Sequence, residues 1–416
     1  MNVILVEPFF PNNQRRFALA LRNVGATVIG IGEYDENGFD PELRDALSYY
    51  YRVPSVVNID ALRTAVAWAQ SQVWVDRMES TVEAHILPVA QVREEANIPG
   101  TSVRTAWLCR DKPAMKDALR AVGVRTAASI AADNADQVTD FAGRVGFPII
   151  LKPRAAAGAS GTVRVDSMAE LGAALSGFGD VESIAVEEFV SGHEGFYDTL
   201  CIDGNTTHDF VSHYYPNVLE GMRERWISPQ FISTNQVDSS PAYGELKEMG
   251  ARVNRALGIG TSATHMEWFF GDKGLYFSEI GCRPPGVGAW DLYSVGNDVD
   301  LYTEWAHAIV HGSTDRPLSR RFASGLVALR PDRDGTITGY SGVDDVAGRL
   351  SDWVIDSHFP NPGTPTQPVE AGFMANAYVR MKHPEFDTVR AMLDDVGRTA
   401  TAPSPDTPAS TTWPRG

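Results

Sequence analysis

The sequence predicts a mixed α/β chain: an N-terminal domain on a parallel sheet, two further stretches of strands and helices over 111–190 and 191–315, and a small C-terminal α+β module. Three observations carry this. Over residues 1–110 short apolar runs alternate with amphipathic stretches, the βαβ rhythm of a parallel sheet flanked by helices. Further along, glycine or proline closes most helical stretches. The 416 residues are 43% hydrophobic and 21% charged, enough apolar side chain for a sizeable core, and the length fits two or three domains at about 150 residues each.

In the first part, Val3 to Val6 reads as a buried strand, Asn13 to Val24 as a helix closed by Gly25, and Thr27 to Ile31 as a second strand. Asp60 is placed to cap a helix running to Gln72, and Val73 to Val75 reads as the next strand. Residues 111–190 give helices at Asp111–Val122, Asp136–Val145 and Ser167–Ser176, and strands at Phe147–Lys152 and Ile184–Phe189. Residues 191–315 give helices at Glu245–Leu257 and Asp300–His311. They also give a hairpin of Ala263–Phe270 and Leu275–Ile280 about Gly271-Asp272-Lys273-Gly274. His208 to Pro229 reads as a loop between strands. Residues 316–401 hold short strands and a last helix near Pro384–Val396. Residues 402–416, mostly Ala, Pro, Ser and Thr, predict a disordered tail.

Charge and motif content exclude several classes. Lys+Arg is 36 and Asp+Glu 53, a formal charge of −17, which repels nucleic-acid phosphates and anionic lipid. Neither nucleic acid nor membrane is an expected partner. MNVILVEPFF has no basic n-region and too short an apolar run for a signal peptide, and no stretch approaches a membrane span. The three cysteines, Cys109, Cys201 and Cys282, are an odd number without a CxxC, which argues against a disulfide framework and a structural zinc. A cytoplasmic protein is expected. There is no GxxxxGK[ST], HExxH or GxSxG. Gly30-Ile31-Gly32-Glu33 begins like a dinucleotide fingerprint but lacks the third glycine.

The residues with chemical potential come in a set order. Asp111-Lys112-Pro113-Ala114-Met115-Lys116 opens a helix, and Lys152 ends a later strand. Ala155 to Thr162, with Gly158, Ser160 and Gly161, is a small-residue loop whose backbone N–H groups can close over phosphate. With six lysines against thirty arginines in the chain, two lysines at such positions suggest a polyphosphate site. Glu187, Glu188, Phe189 and Val190 end another strand, where a carboxylate and backbone groups can face a base edge. Glu194 lies beyond a Ser-Gly turn and can accept from ribose hydroxyls. Glu267 and Glu279, on the two arms of the hairpin, can hold Mg²⁺ between them. Arg283 follows and can stabilise a negatively charged transition state. Arg223, Arg225 and Trp226 are candidates for a substrate carboxylate and its packing. His265, beside the carboxylates, reads first as a strand-packed histidine and second as a substrate contact.

Taken together, Lys112, Lys152, the 155–162 loop, Glu187–Val190, Glu194, Glu267, Glu279 and Arg283 resemble the ATP-grasp superfamily, and within it the carboxylate–amine (L-amino acid) ligases. The resemblance implies a pre-ATP-grasp domain over 1–110, an ATP-grasp domain over 111–315 (lobes 111–190 and 191–315), and the C-terminal module over 316–401. It implies ATP and Mg²⁺, with Mn²⁺ as the alternative metal, and Lys152 and Arg283 in catalysis. It implies amide formation through an acyl phosphate from small-molecule carboxylate and amine substrates, and pairing of copies through the N-terminal domain. A biotin carboxylase-like or purine-pathway enzyme is the alternative, and a non-catalytic nucleotide-binding module a second. One departure stands out: the family usually has Asn two residues after the second glutamate, and this chain has Gly281. Its second metal site is therefore expected to be weaker or completed by water.

Overall fold

The computed structural model describes residues 1–153, 161–178, 184–221, 224–331, 333–369 and 376–400. Gly158, Ser160, Arg223 and the expected tail at 402–416 lie outside the described residues.

Four parallel strands, β1 (Asn2–Val6), β2 (Thr27–Gly32), β3 (Leu47–Arg52) and β4 (Arg77–Glu79), lie in the order β3-β2-β1-β4. Side chains alternate across a strand, so β1 serves two cores. Val3 and Leu5 meet Phe17 and Leu21 of the helix Gln14–Asn23, while Ile4 and Val6 meet Leu62 and Val66 of the helix Ile59–Gln72. Burial on both faces explains why β1 reads as an unbroken apolar run.

A second sheet holds β5 (Ser129–Ala131), β6 (Ile149–Pro153), β7 (Val163–Val165) and β8 (Ile184–Glu188), in the antiparallel order β5-β8-β6-β7. Ile149, Leu151, Ile184 and Val186 pack under the helices Ala135–Val145 and Met168–Ser176. The alternate residues Ile150, Lys152 and Glu187 therefore share the opposite face.

The third sheet has eight strands: β9 (His193–Ile202), β10 (Asn205–Tyr215), β11 (Gln230–Ser233), β12 (Ser262–Gly271), β13 (Gly274–Gly281), β14 (Ala323–Leu329), β15 (Val354–His358) and β16 (Ala377–His383). Their order is β13-β12-β9-β10-β11-β14-β16-β15. The strands expected in a separate C-terminal module thus continue the large sheet, through β11 paired with β14. Helix Gly244–Leu257 packs with the β9–β13 end. Helices Ala289–Asn297 and Leu301–His311 join the large sheet to the N-terminal domain. Phe17 of the latter lies 4.8 Å from Tyr302 and 5.0 Å from Trp305, ring centre to ring centre.

Three local expectations are corrected. Asn58, not Asp60, caps the helix Ile59–Gln72: its Oδ1 accepts from the Ala61 N–H at 3.0 Å. Val73–Val75 is not a strand. The Asn2 N–H donates to Asp76 Oδ2 at 2.7 Å, so the pairing with β1 begins only at Arg77, and Trp74 is exposed. His208 to Tyr215 belongs to β10; of the expected loop, residues 216–221 and 224–229 are described and lie outside the strands, with one short helical turn at Val218–Gly221.

Candidate active site

A cavity of about 440 Å³ opens between the inner face of the β5–β8 sheet and the β9–β13 end of the large sheet. That is the size range of small-ligand pockets. Lys112, Lys116, Lys152, Glu187, Glu188, Phe189, Val190, Glu194, Glu267 and Glu279 all line it. The structure therefore brings together most of the residues that the sequence singles out.

The lysines arrive from two elements. Asp111 caps the helix Lys112–Arg120, its Oδ1 accepting from the Ala114 N–H at 3.0 Å, and Pro113 fits the first turn. Lys112 and Lys116 are four residues apart, so they project from one face. Lys116 was not singled out by sequence, yet it is 1% exposed, with its Nζ 2.7 Å from Glu187 Oε1. The available signal was scarcity: three of the chain's six lysines meet here. Lys152 Nζ approaches Glu187 Oε2 at 2.8 Å and Glu279 Oε2 at 3.9 Å, and Lys112 Nζ approaches Glu279 Oε2 at 3.3 Å.

Glu187 does not turn its carboxylate toward a base edge. It is the counter-ion of two lysines. Burial alone would raise its carboxyl, but the lysines outweigh burial and hold it at about 2. Burial pushes Lys116 down to about 8 despite Glu187. Burial also opposes the charge of Lys152, but Glu187 and Glu279 outweigh it and raise that lysine. Glu188 accepts from the Ala128 N–H at 3.2 Å. Phe189 carries the Arg164 guanidinium 4.4 Å above its ring.

Glu267 and Glu279 sit directly opposite each other in the β12–β13 ladder. Like charges so placed repel. Burial, then Glu279 and Glu194, pushes Glu267 up to about 8. Glu279 is held below the usual range because Lys112 and Lys152 outweigh its burial. Glu194 is pushed up to about 7 by burial, although the Val218 N–H donates to it at 2.6 Å. No group of three metal-ligating side chains is assembled among the described residues. Two carboxylate ligands, with phosphate and water completing the shell, is the set that magnesium commonly takes, so the pair fits that ion.

Arg283 lies outside the main cavity, in a small adjoining recess with His265, Gly281 and Glu279. Its Nε donates to Glu83 Oε2 at 2.8 Å, and Arg110 reaches Glu83 Oε1 at 3.2 Å. A Cβ at position 281 would stand 3.0 Å from Glu83 Oε2, so a side chain there would crowd this bridge. That is a physical reason for the glycine. His265 Nδ1 lies 2.7 Å from Asp198 Oδ1 and its Nε2 lies 3.9 Å from Glu267 Oε1. Arg225 and Trp226 are not gathered into the cavity. Arg225 donates to Asp334 at 2.7 Å, and Trp226 is 80% exposed. Of the expected phosphate loop, Gly161 and Thr162 are described, and Thr162 lines the cavity.

Comparison with known proteins agrees with this geometry. A family model for the ATP-grasp domain matches residues 117–296. The chain is 25% identical over 307 residues to an L-arginine-specific L-amino acid ligase of Bacillus subtilis, covering 71% of this chain and 73% of that one. It is 25% identical over 351 residues to a formate-dependent phosphoribosylglycinamide formyltransferase of Chlorobaculum tepidum, covering 79% and 81%. The solved L-amino acid ligase of Bacillus licheniformis superposes with a TM-score of 0.75 at 19% identity, over 96% of this chain and 98% of that one. With the matched domain, the three-sheet architecture and the lysine–glutamate cavity in agreement, residues 117–296 form an ATP-grasp domain.

Proposed function

We propose that the protein is an ATP-dependent carboxylate–amine ligase, joining small-molecule substrates through an acyl phosphate. The observation that carries this is one cavity in which Lys112 and Lys152 approach Glu279, Lys116 and Lys152 approach Glu187, and Glu267 stands opposite Glu279. Phe189 and Val190 line the wall where a nucleobase would lie, and Glu194 the position for its ribose. Lys112 and Lys152 would then face the phosphates. Glu267 and Glu279 would hold Mg²⁺, which supplies charge neutralisation on the transferring phosphoryl group.

The reaction balances simply. A carboxylate oxygen attacks the γ-phosphorus and ADP leaves. An amine nitrogen then attacks the acyl carbon, phosphate leaves, and the nitrogen gives up a proton. Arg283, in the recess beside Glu279, is the residue that would meet charge on the tetrahedral oxygen. An amino acid as the carboxylate substrate is favoured by the two L-amino acid ligases among the proteins compared.

The test is ADP and phosphate release from the full chain with Mg·ATP against amino acids and small carboxylates, singly and in pairs with a second amine. The expected result is pair-dependent release with a condensed product of matching mass. Glu279→Ala should reduce turnover by about 10³-fold or more, as loss of a metal and charge partner does. Release driven instead by bicarbonate, or by formate with a ribonucleotide amine, would overturn the amino acid reading. Tight ATP binding with no stimulated release would leave a binding module.

A further inference from the structure

The three cysteines lie far apart in sequence, and all are buried with free thiols. The fold brings two of them together. Cys109 stands in the joint between two helices, and its N–H closes Val103–Leu108 by donating to the Thr105 carbonyl at 3.0 Å. Cys282 is the first residue after β13.

Ion pairs clasp the two segments side by side. Arg110, next to Cys109, reaches Glu83 Oε1 at 3.2 Å, and Arg283, next to Cys282, donates to Glu83 Oε2 at 2.8 Å. At the other end, Lys112 Nζ lies 3.3 Å from Glu279 Oε2. Lys112 comes three residues after Cys109 and Glu279 three before Cys282, so the segments run in opposite senses. That arrangement sets Cys109 beside Cys282. The side chains meet: the Cys282 thiol, and after it burial, pushes the Cys109 thiol well up.

Cys109 can also be reached by a small molecule. It lines the recess of about 30 Å³ that holds Arg283, His265 and Glu279. That volume takes one or two molecules the size of water and excludes anything as large as a tripeptide. Cys201 is in a different setting. It lies on β9 with its sulfur 3.2 Å from Thr199 Oγ1 and 3.3 Å from Asn254 Nδ2, and it serves as an internal control.

We propose that Cys109 and Cys282 are a redox modification site, at which hydrogen peroxide entering the recess links them in a reversible disulfide that re-aims Arg283. That the link slows turnover rests on the ligase reading; the linkage does not. One peroxide and two thiols give one disulfide and two waters. The Cys109 sulfur takes an oxygen as the O–O bond breaks, leaving a sulfenic acid and one water. The Cys282 sulfur then attacks the Cys109 sulfur, the S–O bond breaks, and the second water leaves with the remaining thiol proton. The thiols are oxidised and the peroxide is reduced. Disulfide sulfurs stand about 2.05 Å apart, well inside the contact distance of two thiols. Closing that gap draws the end of β13 toward the helix joint, and the Arg283–Glu83 bridge shifts with it.

The test is treatment of the full chain with excess hydrogen peroxide, followed by a peptide map without reduction. The expected product is lighter by two hydrogens, with the Cys109 and Cys282 peptides joined and Cys201 a free thiol. Dithiothreitol should separate the joined peptides. Glutathione disulfide, too large for the recess, should leave both cysteines as thiols. In a chain that ligates amino acids, peroxide should lower turnover about tenfold or more, the effect of a misplaced catalytic group, and dithiothreitol should restore it. Cys109→Ala and Cys282→Ala should each abolish this sensitivity, and Cys201→Ala should keep it. Failure of peroxide to join Cys109 to Cys282, a link from either to Cys201, or glutathione attached to either would overturn the proposal. So would a linked chain that ligates at the unlinked rate. Linkage in a chain that never releases ADP would uphold the site and sink the ligase reading instead. Ligation by a chain that peroxide never links would do the reverse.

Discussion

Glu187 joins two buried lysines that approach the cavity from different elements, and the charge of the site follows from that. Three lysines and seven glutamates line the cavity. Burial pushes Glu194 and Glu267 up to about 7 and 8, while the lysines keep Glu187 and Glu279 charged. The three lysines thus give the cavity local positive charge for a polyanion even though the chain carries −17 overall. Lys116→Met should weaken ATP binding about tenfold and cost about 1–3 kcal/mol of stability, because Glu187 loses one of its buried partners. Nucleotide titration and denaturant unfolding would check both numbers. A second residue gives a pH dependence. His213 lies 2.9 Å from His193 and 3.0 Å from the Tyr243 hydroxyl, and burial lowers it to about 3. The unfolded chain takes up a proton near 6.5 that the folded chain refuses, so stability falls as pH drops from about 6.5 toward 3. The slope from this residue is about 1.4 kcal/mol per pH unit. His213→Gln should show a correspondingly shallower loss between pH 6.5 and 5 in urea unfolding.

At the scale of elements, the strands and the hairpin that carry the candidate site are legible as apolar runs between turn residues, and the candidate residues through the resemblance in their order. The alternation in Ile149–Lys152 and Ile184–Glu187 shows which residues share a face, and the hairpin about Asp272 and Lys273 sets Glu267 opposite Glu279. What sequence could not show was partnership. Nothing local tells that Lys116 meets Glu187, or that Arg283 turns to Glu83, 200 residues away. His208–Tyr215 reads as loop because His, Asp and Ser interrupt its apolar positions, whereas the ladder with β9 overrides that weak propensity. Tertiary contact can also invert a propensity. Gly250 lies inside the helix Gly244–Leu257, where alanine normally stabilises by about 1 kcal/mol. Here a Cβ would stand 2.4 Å from the Tyr197 ring. Gly250→Ala should therefore destabilise, by about 1–3 kcal/mol, read as a fall in the urea midpoint.

For the whole molecule, the decisive feature is that the large sheet does not end with the matched family domain at residue 296. β14 lies between β11 and β16, and its buried residues belong to two of the cores. A chain ended at Gly312 would leave β11 as a bare apolar edge, the arrangement that invites aggregation. Such a chain should be insoluble, or elute in the void volume by size exclusion, whereas the full chain should elute as a discrete species.

The same eight-stranded sheet constrains how the protein can be made. The N-terminal sheet is complete once Glu79 has been synthesised, and it can close while the rest is still being added. The catalytic half cannot follow suit strand by strand. β11 must wait about ninety residues for β14, and β14 must wait again for β16, which at about 5–20 residues per second leaves unpaired edges exposed for several seconds. The glutamates of the candidate site are translated before the sheet that holds them is complete, and that interval is when unpaired edges leave this chain most open to aggregation.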